Sequence, residues 1–439
     1  MTNPRLQRQL ALARRYAEQR RPDAASRICE DILRIDPGEP FALSFLARMA
    51  AASGDRDRAV ALLQRAVAAT PEDLTLQRAL ARAELDAGRA DDAVSTRIEI
   101  LEHPAAAAED WAELGRLCRD RGDAERAARC FTRAFQLDES LLGARRDRNA
   151  PDALRELSQD GDSHLLQYHY ECNDALARAL SDDDQVALPE RWDRFLRRFH
   201  RREPLRYADE RQQPDYHYYE GLTARPFWPR ERFPWLAEVE AATDVIRDEF
   251  LAAMASDATF EPYVRNATES APEAWRAMSD QLVWSSLHLF RGNKPVRENC
   301  ERCPETAALM GRLPLARAEG HAPEVFFSVL RPGTHIPPHY GVSNTKLAIH
   351  LPLIIPDDCA IRVGGETHGW TPGECLLFDD SFLHEAWNRS EELRVVLIFE
   401  TWNPDLTDIE IRCLRSVIER GEIWNRTTAA MAPADLAAA

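Results

Sequence analysis

Residues 324–330, EVFFSVL, 346–355, KLAIHLPLII, 359–363, CAIRV, 374–378, ECLLF, and 393–399, LRVVLIF, are five short runs rich in β-branched and aromatic side chains. Gly and Pro punctuate the gaps between them, as in RPG at 331–333 and GG at 364–365. Short strand-like runs bounded by such residues predict an all-β barrel or double-sheet roll. Helices are expected beside it around 235–256 and 303–312.

Moving towards the N-terminus, residues 146–205 are charged and helix-favouring and end in RWDRFLRRFHRREP. Trp192, Phe195, Leu196 and Phe199 fall at helical spacing. That pattern predicts an amphipathic packing helix in preference to a basic patch for an acidic partner. Earlier still, Asp36-Pro37, Thr70-Pro71 and His103-Pro104 stand 34 and 33 residues apart. Between them lie polar turns, Ser53-Gly54-Asp55, Ala87-Gly88-Arg89 and Arg121-Gly122-Asp123, and small residues Ala59, Ala93 and Ala127 at a spacing of 34. A repeat of this length, built of Ala- and Leu-rich hairpins with Pro-marked turns, looks like tetratricopeptide repeats. Such a solenoid serves either as a concave peptide-binding groove or as a spacer or oligomerisation module.

The full chain of 439 residues is long enough for two to three domains. The expected division is repeats over 1–145, a helical linker over 146–205, a β-rich domain over 206–426 and a disordered Ala-rich tail over 427–439. A formal charge of -17 disfavours long-range attraction to nucleic acid or anionic membrane. No run reaches the length of a membrane span, the first twenty residues lack the apolar stretch of a signal peptide, and nine irregularly spaced cysteines describe no disulfide framework. A cytoplasmic protein with reduced thiols is the expectation.

Chemistry concentrates between Ser328 and Trp402. His339, in HIPPHYG, and His384, in FDDSFLHEAWN, each follow a strand-like run and lie 45 residues apart. Two imidazoles with little further protein ligation leave several positions open on a six-coordinate ion, as a non-haem Fe(II) centre requires to hold a chelating cosubstrate and dioxygen. The carboxylate of a facial triad would stand two residues after the first His, where this chain has Gly341. Arg394, ten residues after His384, would point its guanidinium into the barrel, where it needs an anion. With His350 and Ser328 it would form a pocket for the distal carboxylate of 2-oxoglutarate. Cys300 and Cys303 form a single CxxC and read as incidental thiols, and His335 and His368 are weaker ligand candidates. Asp379 and Asp380 suit binding and orientation better than acid–base work.

The stretches RPGTHIPPHYGVSN, LAIHLPLIIP, CAIRVGGETHGWTPGE, LLFDDSFLHEAWN and LRVVLIFETWNPDL resemble the aspartyl/asparaginyl β-hydroxylase family of Fe(II)/2-oxoglutarate oxygenases, with a looser match upstream in YYEGLTARPFWPRERFPWL. The resemblance covers about residues 206–415. It implies a double-stranded β-helix, of jelly-roll or cupin type, that takes Fe(II), 2-oxoglutarate and O2 and hydroxylates the β-carbon of Asp or Asn in a peptide or protein, releasing succinate and CO2. It makes His339 and His384 the metal ligands, Ser328, His350, Arg394 and Trp284 the 2-oxoglutarate contacts, and Lys346 and Asp380 the substrate contacts. One departure is Ala348, where the family carries a basic residue. Two alternatives stand beside this reading. One is the same chemistry on a free amino acid, lipid or small metabolite, and the other is a repeat scaffold carrying a non-catalytic metal-binding barrel. The repeats favour a polypeptide partner.

Overall fold

In the computed structural model, residues 4–256, 258–269 and 271–436 are described. They divide into two compact units: the chain up to Tyr168 together with the residues from Asn425 onward, and the intervening His169–Trp424.

The first unit is helical. Its leading helices pair as hairpins: Pro4–Glu18 with Pro22–Ile35, Pro40–Ala52 with Arg56–Ala69, Leu74–Asp86 with Ala90–Glu102, and Ala108–Asp120 with Ala124–Leu137. The three polar turns read from the sequence reverse the chain inside the last three hairpins. Each places a glycine at positive φ, 85° at Gly54, 76° at Gly88 and 81° at Gly122, a conformation that a Cβ disfavours. Asp55 and Asp123 then cap the following helices by accepting from the Arg58 and Arg126 N–H groups. Ala59, Ala93 and Ala127 are buried where the helices cross, and so is Ala25, one repeat earlier.

The domain boundaries differ from the expectation at two places. The stretch beginning at residue 146 is no separate linker, because helix Asp152–Arg178 starts in the first unit and ends in the second. The tail expected to be disordered from residue 427 continues helix Asp408–Ala429 and then forms the 3-10 turn Pro433–Leu436. Leu436 is buried with Trp111, Phe131 and Leu157, and this apolar anchor outweighs the low-complexity composition around it. Residues 437–439 of that expected tail lie outside the described residues.

The second unit carries the β-structure. Its strands are β1 (Glu261–Pro262), β2 (Trp284–Arg291), β3 (Lys294–Pro295), β4 (Val325–Leu330), β5 (Thr334–His339), β6 (Lys346–Ile354), β7 (Cys359–Val363), β8 (Glu366–His368), β9 (Leu376–Phe378), β10 (His384–Asn388) and β11 (Arg394–Trp402). Among the described residues they form two antiparallel sheets. The larger has the order β1-β2-β4-β11-β6-β9, with β3 on β2, and the smaller has the order β5-β10-β7-β8.

Alternation along the strands sorts the side chains to two faces. Phe327, Val329, Leu347, Ile349, Leu397 and Phe399 pack outward against the helices at 236–255 and 304–312. The opposite face carries Ser328, His350 and Arg394 and shares an inner cluster with Ile336, Ile361, Val363 and Ala386 of the smaller sheet. Upstream, helix Glu190–Phe199 buries Trp192, Phe195 and Leu196 against Tyr219, Ile409 and Leu414, the amphipathic packing its spacing predicts. No helix is long and apolar enough to cross a membrane among the described residues.

Candidate metal centre and anion pocket

His339 ends β5 and His384 begins β10, and the two residues are direct partners across the antiparallel ladder. Their rings lie 4.1 Å apart between centroids. Each imidazole donates its Nδ1–H to the carbonyl two residues earlier in its own chain, His339 to Pro337 at 2.8 Å and His384 to Phe382 at 2.9 Å. These bonds select the tautomer that leaves both Nε2 lone pairs available. Burial, then the neighbouring His339, holds His384 down to about 3, and burial also lowers His339. Both rings are therefore neutral, as metal ligation requires.

Gly341 has a definite reason to lack a side chain. A Cβ at this position would come within 2.3 Å of the Asp380 Cγ, and the Gly341 N–H donates to the Asp380 carbonyl at 2.7 Å. Asp380 thus occupies the space into which a carboxylate-bearing residue 341 would project. No group of three or more His, Cys, Asp or Glu side chains suited to a metal occurs among the described residues, so the histidine pair stands without a protein carboxylate.

Beside the pair, Arg394 begins β11 facing inward and is 1% exposed. Its Nη1 donates to the Ser328 Oγ at 3.3 Å, and that hydroxyl also accepts the Trp284 indole N–H at 3.1 Å. The guanidinium lies 5.1 Å over the Trp370 ring. Burial pulls it down to about 10, which leaves it charged at neutral pH. Its Nε has no partner, and among the described residues no carboxylate pairs with it. An isolated buried cation of this kind is costly unless an anion joins it. His350 stacks on Trp370 at 5.9 Å, and its buried Nδ1 is likewise without a partner. One cavity of about 380 Å³ is lined by His339, His384, Arg394, Ser328, Trp284 and His350 together with Lys346, Asp380 and Glu400.

The fold gathers the expected site residues His339, His384, Ser328, His350, Arg394, Trp284, Lys346 and Asp380 around one cavity. Asp379 separates from Asp380: it is buried in a turn, accepting from the Ser381 N–H at 3.0 Å and from the Gln212 amide at 2.7 Å, and burial raises it to about 8. His335 points away from the pair to Glu385 at 2.6 Å, and His368 packs on Phe227 at 3.9 Å. Cys300 accompanies the Leu289 carbonyl and Cys303 the helical core, without a metal-binding set. Trp370 and Glu400 were missed. Trp370 sits inside HGWTPGE, where nothing local marks an indole as the platform for a guanidinium 24 residues later.

An inward-facing histidine pair and an unpaired buried arginine thus lie together between two antiparallel sheets. Residues 240–404 match the family model for aspartyl/asparaginyl beta-hydroxylase, and residues 42–87 match a tetratricopeptide repeat. One stretch of the chain is thus similar to aspartyl/asparaginyl beta-hydroxylases, and it follows a stretch similar to a tetratricopeptide repeat. It is 33% identical over 228 residues to aspartate beta-hydroxylase domain-containing protein 2 of Xenopus tropicalis, covering 50% of this chain and 59% of the relative. It is 33% identical over 202 residues to human aspartyl/asparaginyl beta-hydroxylase, covering 45% and 25%. A Rhizobium tropici ornithine lipid ester-linked acyl 2-hydroxylase is 32% identical over 190 residues, covering 42% and 63%. The chain spans between a quarter and two thirds of these relatives' lengths.

Proposed function

We propose that the second unit is a double-stranded β-helix oxygenase that hydroxylates a carbon of a peptide or protein substrate at the expense of 2-oxoglutarate and O2. One oxygen atom goes to the substrate C–H, the other to succinate, and CO2 leaves. The observation that carries this reading is Arg394, buried and without a carboxylate beside two neutral histidines.

The residues present fit the groups the reaction needs. His339 and His384 would hold Fe(II) through Nε2, and the absence of a carboxylate at Gly341 leaves coordination positions for cosubstrate, O2 and water. Bound iron supplies the activation of dioxygen that no side chain here provides. Arg394, with the Ser328 hydroxyl, would grip the far carboxylate of 2-oxoglutarate by charge-assisted hydrogen bonds, and the free His350 Nδ1 offers a further contact. Trp284 fixes the Ser328 rotor, while Trp370 and Phe378 exclude water around the anion. Asp and Asn are the residues in the human relative's name. The tetratricopeptide repeats would recruit the polypeptide, in a reducing cytoplasm that suits nine free cysteines. The Rhizobium relative's name supports a second reading, the same chemistry on a lipid.

Succinate formation by the full chain with Fe(II), 2-oxoglutarate and O2 tests the proposal. His339→Ala and His384→Ala should each abolish it, and undiminished turnover in both variants rejects the assignment.

A further inference from the structure

The cavity continues past the histidines along the strands. Two steps along β6 from His350 stands Ala348, and two further Lys346, while β4 presents Phe326 after Ser328, and β11 ends this face with Glu400. The charges at this far end are unbalanced. Lys346 is buried and its Nζ is already committed to Glu400 at 2.7 Å. Glu324, which accepts from the Gly292 N–H at 2.7 Å and lies 3.2 Å from His288, and Asp380 add two more carboxyl groups to the same lining; burial and then the Glu400 charge raise Asp380 to about 7, and among the described residues no side chain hydrogen-bonds its carboxyl group. His321, held down to about 4 by burial and then by Lys346, contributes no positive charge at neutral pH.

The wall beside these acids is aromatic. Tyr263 stacks on Trp284 at 4.0 Å and on Phe326 at 5.3 Å. Carboxylates facing a ring stack make an environment for a positive charge, since both the Coulomb field and the ring quadrupole attract it. The cavity runs without a break from the histidine pair to Asp380 and Glu400, so a group reacting at the histidines can extend to this end. A substrate carboxylate at this end would meet Lys346 already committed to Glu400, Ala348 and Phe326 on the flanking strands, and the Asp380 carboxyl group nearby.

We propose that the substrate group received at this far end is a cationic nitrogen, an ammonium or guanidinium held between Asp380, Glu400 and the Tyr263–Phe326 wall, and not the carboxylate of Asp. This rests on the oxygenase reading above and replaces the acidic substrate that the family resemblance implies.

The test uses the full chain with Fe(II), 2-oxoglutarate and O2. Peptides of one sequence carry Lys, Arg, Asn or Asp at a single position, with free lysine and arginine in parallel. Succinate formed without any peptide reports on the reaction itself, so its absence counts against the oxygenase reading. Preference among substrates reports on the cation site. The expected result is a 16 Da gain and at least tenfold faster succinate formation with the Lys or Arg peptide than with the Asp peptide. Turnover confined to the free amino acids would support the same cation chemistry from a small-molecule source. Glu400→Gln, which releases Lys346, should shift the preference towards Asp, and Asp380→Asn should weaken the basic substrate. Equal or better hydroxylation of the Asp peptide by the unaltered chain overturns the proposal, as does a lack of stimulation by every cationic substrate when basal succinate formation is intact.

Discussion

Arg394 and Gly341 show how single positions are constrained by what surrounds them. Arg394 donates to a serine hydroxyl and faces an indole but has no acid of its own. Arg394→Lys would keep the charge and lose the planar fork, so the 2-oxoglutarate requirement should rise roughly ten- to hundredfold, in line with about 1.5–3 kcal/mol for a charge-assisted contact. Titrating succinate formation against cosubstrate checks this, and an unchanged half-saturation would separate Arg394 from the anion. Gly341→Ala should also reduce turnover sharply, because its methyl cannot coexist with the Asp380 carboxylate in its present place. Comparing peptide-stimulated with peptide-free succinate formation shows whether the loss lies in substrate handling. Gly341→Asp should fail for the same reason, although it restores the carboxylate that a facial triad would carry.

Strands and turns were largely legible in the sequence because each has a local cause. The five runs that open the sequence analysis correspond to β4, β6, β7, β9 and β11, and the polar turns hold glycines at positive φ. The site residues borne by those strands were legible from their types and order. Partnerships made by pairing were not. The Lys346–Glu400 ion pair depends on β6 lying beside β11 in one register, and nothing along the 54-residue separation carries a trace of it. His217, bridged to Ser343 just before β6, gives a prediction at this scale. Burial, followed by His321 and Lys346, pushes His217 down to about 3, against an ordinary value near 6.5. Below pH 6.5 the unfolded chain takes up a proton that the folded chain refuses, so this stability is complete above pH 6.5 and drains away as pH falls towards 3. Denaturant unfolding across that range should show a smaller loss in His217→Gln than in the unaltered chain. Equal losses would mean that His217 does not titrate as its burial implies.

At the scale of the whole molecule, composition was a poor guide to where each unit ends. An Ala-rich tail reads as disorder, yet Leu436 is 2% exposed in the cluster around Trp111, Phe131 and Leu157. Leu436→Ala should destabilise the helical unit by about 2–5 kcal/mol, as for other buried leucines, and thermal unfolding followed by helical circular dichroism checks it. A change below about 0.5 kcal/mol would show the anchor to be incidental.

The helical unit therefore draws its residues from both sides of His169–Trp424. During synthesis its repeats leave the ribosome first, but the piece bearing Leu436 follows only after the entire sheet-forming stretch has been made. For that interval the neighbourhood of Trp111 and Phe131 lacks part of its apolar cover, so a nascent chain stalled before residue 425 would present a sticky surface that chaperones can recognise.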